Sequence, residues 1–249
     1  MEPKYNVPAL ERANAVLQLL AEEPLKWKLS ELSRHLNISK STLFSLLQSL
    51  ERLNWIIRDR SDTYALGPAM GSFGNAYFRQ YTIIEEFQRF ARPVMQRLQE
   101  CIQLAELDGN EVLYLSKVEA PSPVQMVSGP GVRLPAYATG LGKAMLSTRS
   151  NDQINQLLPA EPFRKYTDYT IDSAKSLFID IEKVRQTGYA TDIQEVVMGF
   201  GCIAAPIKKL NGEAAAAVSC SIPIHHWETK KEQAAKEMLQ LASQLASII

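Results

Sequence analysis

The segment from Lys28 to Arg60, KLSELSRHLNISKSTLFSLLQSLERLNWIIRDR, constrains the fold more than any other part of the sequence. It holds two runs with leucines at three- and four-residue spacing, separated by a tight break, and a segment rich in β-formers follows. Leucines at this spacing predict two amphipathic helices. Ser30 and Ser39 precede the runs, and each is expected to cap its helix with a side-chain oxygen. The order of elements predicts a helix-turn-helix followed by a β-hairpin, the wing.

The second of these helices has an apolar face and a polar face. Its core-facing positions are predicted to be Leu43, Leu46, Leu47, Leu50 and Leu53. Hydroxyl, amide and guanidinium groups share the opposite face, which lacks acidic side chains. Asn54 suits the left-handed residue that ends a helix, so residues 55–58 and 63–66 are predicted to form the strands of the wing.

The polar face is open to two interpretations, a solvated surface or a DNA-reading surface. Capped helices, turn and wing follow one another as in DNA-binding proteins, which favours the second. Residues 24–60 hold seven basic and three acidic side chains in a chain of zero formal net charge. Phe44 borders the face, where it either packs on the wing or contacts a thymine methyl group, and packing is favoured. The predicted DNA contacts are Lys40, Ser41, Thr42, Ser45, Gln48 and Arg52 in the helix and Arg58 and Arg60 in the wing.

The composition is that of an ordinary globular protein long enough for two domains, with 249 residues, 46% hydrophobic and 22% charged. No secretory signal or bilayer-spanning apolar run is recognisable, so a cytoplasmic location and no membrane partner are expected. Three cysteines without close spacing argue against a disulfide framework or a zinc ribbon. We therefore expect neither a cofactor nor a metal.

Helices are expected on both sides of the helix-turn-helix and wing. Residues 9–22 carry the apolar stripe of a first helix, and residues 25–29 are expected to add a short strand to the wing. Residues 69–100 indicate a linker helix and a second helix, interrupted by glycines at 71 and 74 and by Pro93. This stretch is rich in aromatic side chains, which either a partner subunit or the same chain must cover.

From Cys101 the pattern changes to short apolar strands, which marks a second domain. Strands are predicted at 103–107, 112–118 and 123–127, and helices at 152–158, 173–186 and 229–249. The small residues of 138–146 begin another helix, whose backbone N–H groups either hold an anion or serve close packing. Their spacing fits no nucleotide-binding loop.

An Asn-Gly pair at 211–212 between two alternating runs predicts a hairpin. A two-residue turn there places Cys202 opposite Ser221, brings Ser219 to the same face and leaves an apolar core face on the other side. Asp192 is expected on an approaching loop. The polar face is either exposed to solvent or a site for a small polar ligand.

Four segments together resemble the isocitrate lyase regulator (IclR) family of bacterial transcription factors: LNISKSTLFSLLQSLERLNWI, YALGPAM, RLPAYATGLGKAML and GYATDIQEVVMGFGCIAAPI. The resemblance extends from Ala9 to the C-terminus, in the family's domain order. It implies an α+β chain with a winged helix-turn-helix over 1–67, a helical linker and dimerisation region over 68–99, and a GAF-like antiparallel sheet with helices, the effector-binding domain, over 100–249. It also implies homodimers or homotetramers that bind a double-stranded DNA operator and a small organic acid, with repression favoured over activation.

Matching the motifs position by position carries the family's effector pocket onto this chain. The implied residues are Met126, Leu134, Gly140, Leu141, Asp192, Phe200, Cys202, Ser219 and Ser221. Leu141 and Phe200 are bulkier than the residues common there in glyoxylate- or pyruvate-sensing members, so either the pocket is smaller or its ligand differs. Ser45 after Phe44 departs from the family's recognition helix, so the family's operator preference is not carried over.

Three functions compete. The first is a ligand-responsive DNA-binding regulator, in which the acid changes the spacing between the DNA-binding domains of paired subunits. Acid binding and DNA binding are then coupled equilibria. The second is a redox- or metal-responsive regulator that uses Cys202 and Asp192. The third, an enzyme with Cys202 as nucleophile, is disfavoured because the sequence places no histidine to act as its base.

Overall fold

A computed structural model describes residues 7–78, 82–121 and 128–248. The chain divides into two compact units, residues 1–80 and 81–249. The architecture is α+β, as predicted, with helices and a two-stranded sheet in the first unit and a six-stranded antiparallel sheet with helices in the second. Among the described residues, no helix is both long and apolar enough to cross a bilayer.

The first unit is built from helices around a small apolar core. Its elements are α1 (Pro8–Glu22), α2 (Leu29–His35), α3 (Lys40–Arg52), β1 (Ile56–Arg58), β2 (Tyr64–Leu66) and α4 (Pro68–Phe78). Leu20 of α1, Leu32 of α2 and Leu43 of α3 are fully buried together. The prediction that Leu53 faces this core is wrong, because α3 ends at Arg52 and Leu53 lies beyond the helical stripe, 51% exposed.

The helix caps agree with the prediction at one helix and differ at the other. Ser39 caps α3, since its Oγ accepts a hydrogen bond from the Thr42 N–H at 3.3 Å. The prediction that Ser30 caps α2 is wrong. Helix α2 begins before it, and the Glu31 carboxylate accepts a hydrogen bond from the Lys28 N–H at 2.9 Å. A glutamate in the first turn thus binds back to the residue before the helix, as in half of a capping box.

The wing is a two-stranded antiparallel hairpin formed by β1 and β2. Asn54 adopts φ +56° between α3 and β1, as predicted for the residue that ends the helix. The segment predicted as a third strand, 25–29, contributes a single bridge between Lys28 and Thr63. This bridge fixes the connection between α1 and α2 to the wing.

The second unit contains the six-stranded sheet. Its strands are β3 (Cys101–Asp108), β4 (Glu111–Val118), β5 (Arg133–Pro135), β6 (Ala190–Ile193), β7 (Phe200–Lys208) and β8 (Ala214–Pro223), in the order β5-β4-β3-β8-β7-β6. Its helices are α5 (Thr82–Leu98), α6 (Gly140–Leu146), α7 (Asn151–Leu157), α8 (Ala174–Thr187) and α9 (Trp227–Ala246). The short edge strands β5 and β6 occupy segments that were expected to be loops. The strand predicted at 123–127 lies outside the described residues.

The predicted interruptions of the linker region do not occur. Helix α4 runs through Gly71 and Gly74, and α5 runs through Pro93. Packing holds α5 together despite the missing N–H of the proline, because one of its faces is buried at Phe87, Ala91, Val94 and Leu98. Arg97 of α5 also forms a bidentate ion pair with Glu237 of α9, with both N–O distances 2.7 Å.

The central hairpin, formed by β7 and β8, has the predicted pairing of residues. A longer loop and a bulge each shift the register by one residue, in opposite directions. Cys202 lies opposite Ser221, as predicted. The loop is longer than the predicted two residues: the Gly212 N–H donates to the Lys209 carbonyl, and Gly212 has φ +86°, as in a three-residue hairpin loop. The extra residue shifts the pairing by one, and a bulge beside Ile207 shifts it back.

One face of this hairpin is apolar core, as predicted. The buried side chains there are Ile203, Ala205, Ile207, Val218, Cys220 and Ile222. The opposite face presents the polar side chains toward α6 and the segment between β6 and β7, where the candidate pocket lies.

Candidate functional site

Helix α3 presents a continuous polar face to solvent. The six predicted DNA contacts of this helix, Lys40, Ser41, Thr42, Ser45, Gln48 and Arg52, are all exposed. Local hydrogen bonds order the start of the helix, since Ser39 Oγ donates to Thr42 Oγ1 at 2.8 Å. Ser45 Oγ donates to the Ser41 carbonyl at 3.2 Å, which leaves the hydroxyl oxygen of Ser45 free to accept a hydrogen bond from the amino group of a base.

Phe44 is more exposed than the expected packing on the wing predicts. Its side chain is 47% exposed beside the polar face of α3. Phe44 follows the buried Leu43 directly in the helix, so its side chain points away from the apolar stripe. An exposed ring at this position is suited to contact with a thymine methyl group.

The wing places two arginines at its outer surface. Arg58 is exposed and forms an ion pair with Asp62 at 2.7 Å, and Arg60 is exposed at the turn. Asp59 shapes this turn, because its Oδ1 accepts hydrogen bonds from the Ser61 N–H at 3.0 Å and from both the N–H and the hydroxyl of Thr63 at 2.8 Å. These hydrogen bonds, with that from Thr63 first, lower the pKa of Asp59.

A narrow pocket lies on the polar face of the six-stranded sheet. Its volume is about 30 Å³, room for about one water molecule. The lining residues are Gln103, Tyr114, Ser128, Leu134, Thr139, Asp192, Val196, Val197, Phe200, Cys202 and Ser221. They come from all six strands of this sheet, from Ser128 before β5, from the cap of α6 and from the segment after β6. A pocket of this size requires the lining to open before an organic molecule enters.

The structure places the sequence-predicted pocket residues in three ways. Leu134, Asp192, Phe200, Cys202 and Ser221 line the pocket, and Gly140 lies against it with space for a Cβ 3.5 to 3.7 Å from its neighbours. Ser219 is buried beside the lining, whereas Leu141 lies in the apolar core and its side chain is not part of the lining. Met126 lies outside the described residues.

Gln103 is the polar centre of the pocket, and the sequence analysis missed it. Its Oε1 accepts hydrogen bonds from Ser221 at 3.1 Å and from Ser219 at 3.4 Å, and its Nε2 donates to Ser128. Gln103 is 1% exposed in β3, between the buried Ile102 and Leu104. A lone amide within the apolar run of residues 101–105 was the available signal, because such a group must find buried partners.

Asp192 is the pocket's carboxyl group. It lies in β6 opposite Cys202, and the N–H of Glu195 donates to its Oδ1 at 2.9 Å. The backbone N–H of Gly140, at the start of α6, also favours the charged form of this carboxylate. Burial raises the pKa of Asp192 from its ordinary value of 3.8 to about 6, although these N–H groups and Lys143 oppose the shift.

A buried ion-pair cluster supports the pocket from behind. Lys143 of α6 is 0% exposed, and its Nζ binds Glu195 Oε1 at 2.5 Å and Asp180 Oδ2 at 2.8 Å. Burial alone would lower the pKa of Lys143, but the two carboxylates outweigh it and raise the pKa. Burial raises the pKa of Glu195 to about 7. Sequence patterns do not reveal this cluster, because a lysine in a helix is normally a solvated side chain.

The thiol groups near the pocket are held in their protonated form. Cys202 Sγ lies 3.2 Å from Ser221 Oγ, and burial raises the pKa of this thiol well above its ordinary value. Burial raises the pKa of Cys101 to about 12. Because the thiolate is the reactive and metal-binding form, these surroundings disfavour the redox, metal and nucleophile interpretations of Cys202.

An exposed reading helix with a wing in one unit, and an enclosed polar pocket in the other, define a DNA-binding regulator with a ligand-sensing domain. Two family descriptions match the chain: "IclR helix-turn-helix domain" over residues 9–60 and "Bacterial transcriptional regulator IclR C-terminal" over residues 75–248. The chain belongs to the IclR family of bacterial transcriptional regulators, which are not enzymes.

Individual relatives agree with this assignment. The chain is 28% identical to the HTH-type transcriptional regulator KdgR of Escherichia coli K12 over 243 residues, 97% of this chain and 92% of KdgR. It is 31% identical to the HTH-type transcriptional repressor AllR of the same organism over 216 residues, 86% of this chain and 80% of AllR. A crystal structure of an IclR homolog from Microbacterium hydrocarbonoxydans, complexed with 4-hydroxybenzoate, has the same fold with a TM-score of 0.80, 21% identity and coverage of 96% and 98%.

Proposed function

We propose that this protein is an operator-specific regulator in which a small organic acid binds the Gln103–Asp192–Ser221 pocket and changes the affinity of the winged helix-turn-helix for DNA. The observation that carries this proposal is the pocket, where an amide, a carboxyl and a hydroxyl converge within an effector-binding domain. A few fixed polar groups in an otherwise apolar cavity are typical of small-ligand sites. The ligand of the Microbacterium homolog, 4-hydroxybenzoate, is itself a carboxylate with a hydroxyl group.

In the proposed DNA complex, α3 contacts bases and the wing contacts phosphates. Gln48, exposed on α3, has an amide that suits the edge of an adenine in the major groove. Arg58 of the wing pairs with Asp62 in the free protein and exchanges that partner for a phosphate on binding. The remaining proposed contacts of α3 position the helix or read neighbouring bases.

Binding to the DNA upstream of the protein's own gene tests this division. Gln48→Ala should reduce the preference for operator over random DNA without changing the salt dependence. Arg58→Ala should weaken binding to both DNAs and lower the salt slope by about one. Lys236→Ala, which removes an exposed charge from α9, is the matched control and should bind as the wild type does. Equal losses from Arg58→Ala and Lys236→Ala would contradict the proposed wing contact.

We further propose a homodimer that represses transcription. Phe73 on α4 is 55% exposed, and a second copy of the chain would remove such a surface from water. The similar AllR is a repressor. Such a protein acts where the chromosome is, in the bacterial cytoplasm.

Two experiments test the dimer and the repression. Light scattering of Phe73→Ser should report a shift toward monomer. A reporter gene fused to the operator should be more active when the regulator gene is deleted.

The ligand half is tested by removing the two buried hydroxyls. The double variant Ser219→Ala, Ser221→Ala should lose the response to organic acids and retain operator binding, because both side chains belong to the second unit. A gel-shift titration with a panel of 2-oxo and 2-hydroxy acids measures both properties. Ser243→Ala, on the exposed side of α9, is the control. A double variant that responds to acids like the wild type would exclude this pocket as the sensor.

A further inference from the structure

The pocket that we assign to an organic acid contains no basic side chain among its described lining residues. The segment 122–127, SPVQMV, adds none, because its sequence has no lysine, arginine or histidine. Transfer of a carboxylate from water into such a cavity is unfavourable unless a countercharge or strong donors receive it. The described lining supplies no countercharge for the acid.

The ammonium group behind the pocket, that of Lys143, already forms ion pairs with two carboxylates. Lys143 is 0% exposed and binds Glu195 and Asp180, at 2.5 and 2.8 Å. Asp192 lies beside them, so three carboxyl groups surround Lys143, and the second ammonium near the cluster, the exposed Lys183, pairs with Asp180 at 3.3 Å. A further carboxylate entering this region adds to an excess of negative charge.

The hydrogen-bond directions also oppose a bare anion. Ser221 and Ser219 both donate to Gln103 Oε1, so their hydroxyl hydrogens point toward the amide and their lone pairs remain for a ligand. An ionised Asp192 accepts hydrogen bonds and donates none. The other donors among the described lining residues, such as the Tyr114 phenol, are neutral, so none of them balances the charge of a carboxylate placed beside an ionised Asp192.

We propose that the organic acid enters this pocket together with one proton, which Asp192 holds and donates to the ligand carboxylate. The proton comes from solvent, the Asp192 carboxylate becomes a carboxyl group, and its O–H forms the charge-assisted hydrogen bond that the anion requires. The inference rests on the proposed function, since it names the form in which an acid is bound at that site.

The surroundings of Asp192 support this role. Lys143 of α6, Cys202 of β7, Tyr114 of β4 and Glu195 of the following segment face it, and Asp180 of α8 acts on it through Lys143. Burial has already brought the pKa of Asp192 to about 6, so protonation near neutral pH needs only a modest contribution from the ligand. Glu195, with a pKa of about 7, is the competing proton holder.

Calorimetry on the full-length protein tests the proposal with acids and their neutral amides. Pyruvate with pyruvamide, and glycolate with glycolamide, are titrated between pH 5.5 and 8 in buffers of different ionisation enthalpy. The wild type should take up about one proton per acid at pH 7.5, and its affinity for the acid should fall about tenfold per pH unit above the pKa of Asp192. The amides should bind without proton uptake.

Two variants identify the group that holds the proton. Asp192→Asn keeps the shape and has an N–H₂ group to donate, so it should bind the acid with no proton uptake and bind it more tightly than the wild type at pH 8. Glu195→Gln should retain the uptake. Loss of uptake in Glu195→Gln but not in Asp192→Asn would overturn the assignment to Asp192.

Two further outcomes separate this inference from the proposed function. An acid that binds the wild type with no proton uptake and no pH dependence would overturn the inference and leave the proposed function intact. If neither acid of the panel binds the wild type or Asp192→Asn at any pH, although the protein binds its operator, the organic-acid sensor itself is overturned, and the inference with it.

Discussion

Two glycines two residues apart in α6 have different physical reasons to be glycine. A Cβ on Gly142 would overlap the backbone of Ala136, which cannot move aside without disturbing the turn before the helix. A Cβ on Gly140 would make ordinary contacts of 3.5 Å with Ala204 and 3.6 Å with Cys202. Gly142 therefore serves close packing, whereas Gly140 leaves space beside the pocket.

We predict that Gly142→Ala destabilises the protein by about 3 kcal/mol or more, because the added methyl group forces the backbone apart. Gly140→Ala is the matched control and should change the free energy of unfolding by less than about 1 kcal/mol. Urea unfolding of both variants, followed by circular dichroism, measures the difference. Similar stabilities for the two variants would show that the helix start adapts, contrary to this account.

Other single residues of the pocket escaped prediction for a common reason. The common face of Ser219 and Ser221 follows from strand periodicity, which depends only on neighbours in the chain. Gln103 and Lys143 acquire their roles from partners that lie far away in sequence, such as Ser219 and Glu195. A sequence pattern shows that a polar group lies in an apolar segment, but it does not show which partner that group meets.

Among the elements, the wing depends on one carboxylate oxygen. Asp59 Oδ1 accepts three hydrogen bonds that hold the turn between β1 and β2. Because its pKa is lowered in the folded protein, this contribution is present above the ordinary value of 3.8 and is lost as the pH falls through the lower, folded value. The wing should therefore stay ordered throughout the range in which operator binding is measured.

Asp59→Ala should weaken operator binding several-fold, because the turn loses all three hydrogen bonds and Arg58 and Arg60 lose their fixed positions. Asp59→Asn retains an oxygen at the Oδ1 position and should bind nearly as the wild type does. Fluorescence anisotropy with labelled operator DNA compares the two variants. If Asn and Ala weaken binding equally, the charge of Asp59 matters and not its acceptor geometry.

The central hairpin shows how an element can be predicted correctly on an incomplete basis. The assumed two-residue turn gave the right pairing of Cys202 with Ser221, although the loop has three residues. The bulge beside Ile207 restores the register, since a one-residue slip would send the polar face into the core. Burial of the apolar face, and not the turn, determines the register here. Pro93 misled the prediction for a related reason, since the packing of α5 outweighs local helix preference.

For the whole molecule, the buried carboxyl group of Asp192 makes stability depend on pH. Its pKa is 3.8 when unfolded and about 6 when folded, so the folded state binds the proton more tightly and stability falls as the pH rises through this window. Asp192→Asn should thus be more stable than the wild type at pH 7.5, by at most about 3 kcal/mol, and equally stable near pH 4. Urea unfolding at several pH values measures this difference.

The control for that prediction is Asp168→Asn, which removes an exposed carboxylate from the same unit. It should leave the pH profile of stability unchanged. If the difference in the free energy of unfolding between the wild type and Asp192→Asn is constant from pH 4 to 7.5, Asp192 has the same pKa in the folded and unfolded states, contrary to the prediction.

The most direct test of the central claim is to measure the coupling between operator and acid in both directions. The affinity for operator DNA is determined by anisotropy with and without a saturating acid from the panel, and the affinity for that acid by calorimetry with and without saturating operator. If the pocket and the winged helix-turn-helix form one regulator, the two factors are equal and differ from one, because coupling between two binding sites is reciprocal. An acid that binds the pocket while both factors equal one would contradict the account.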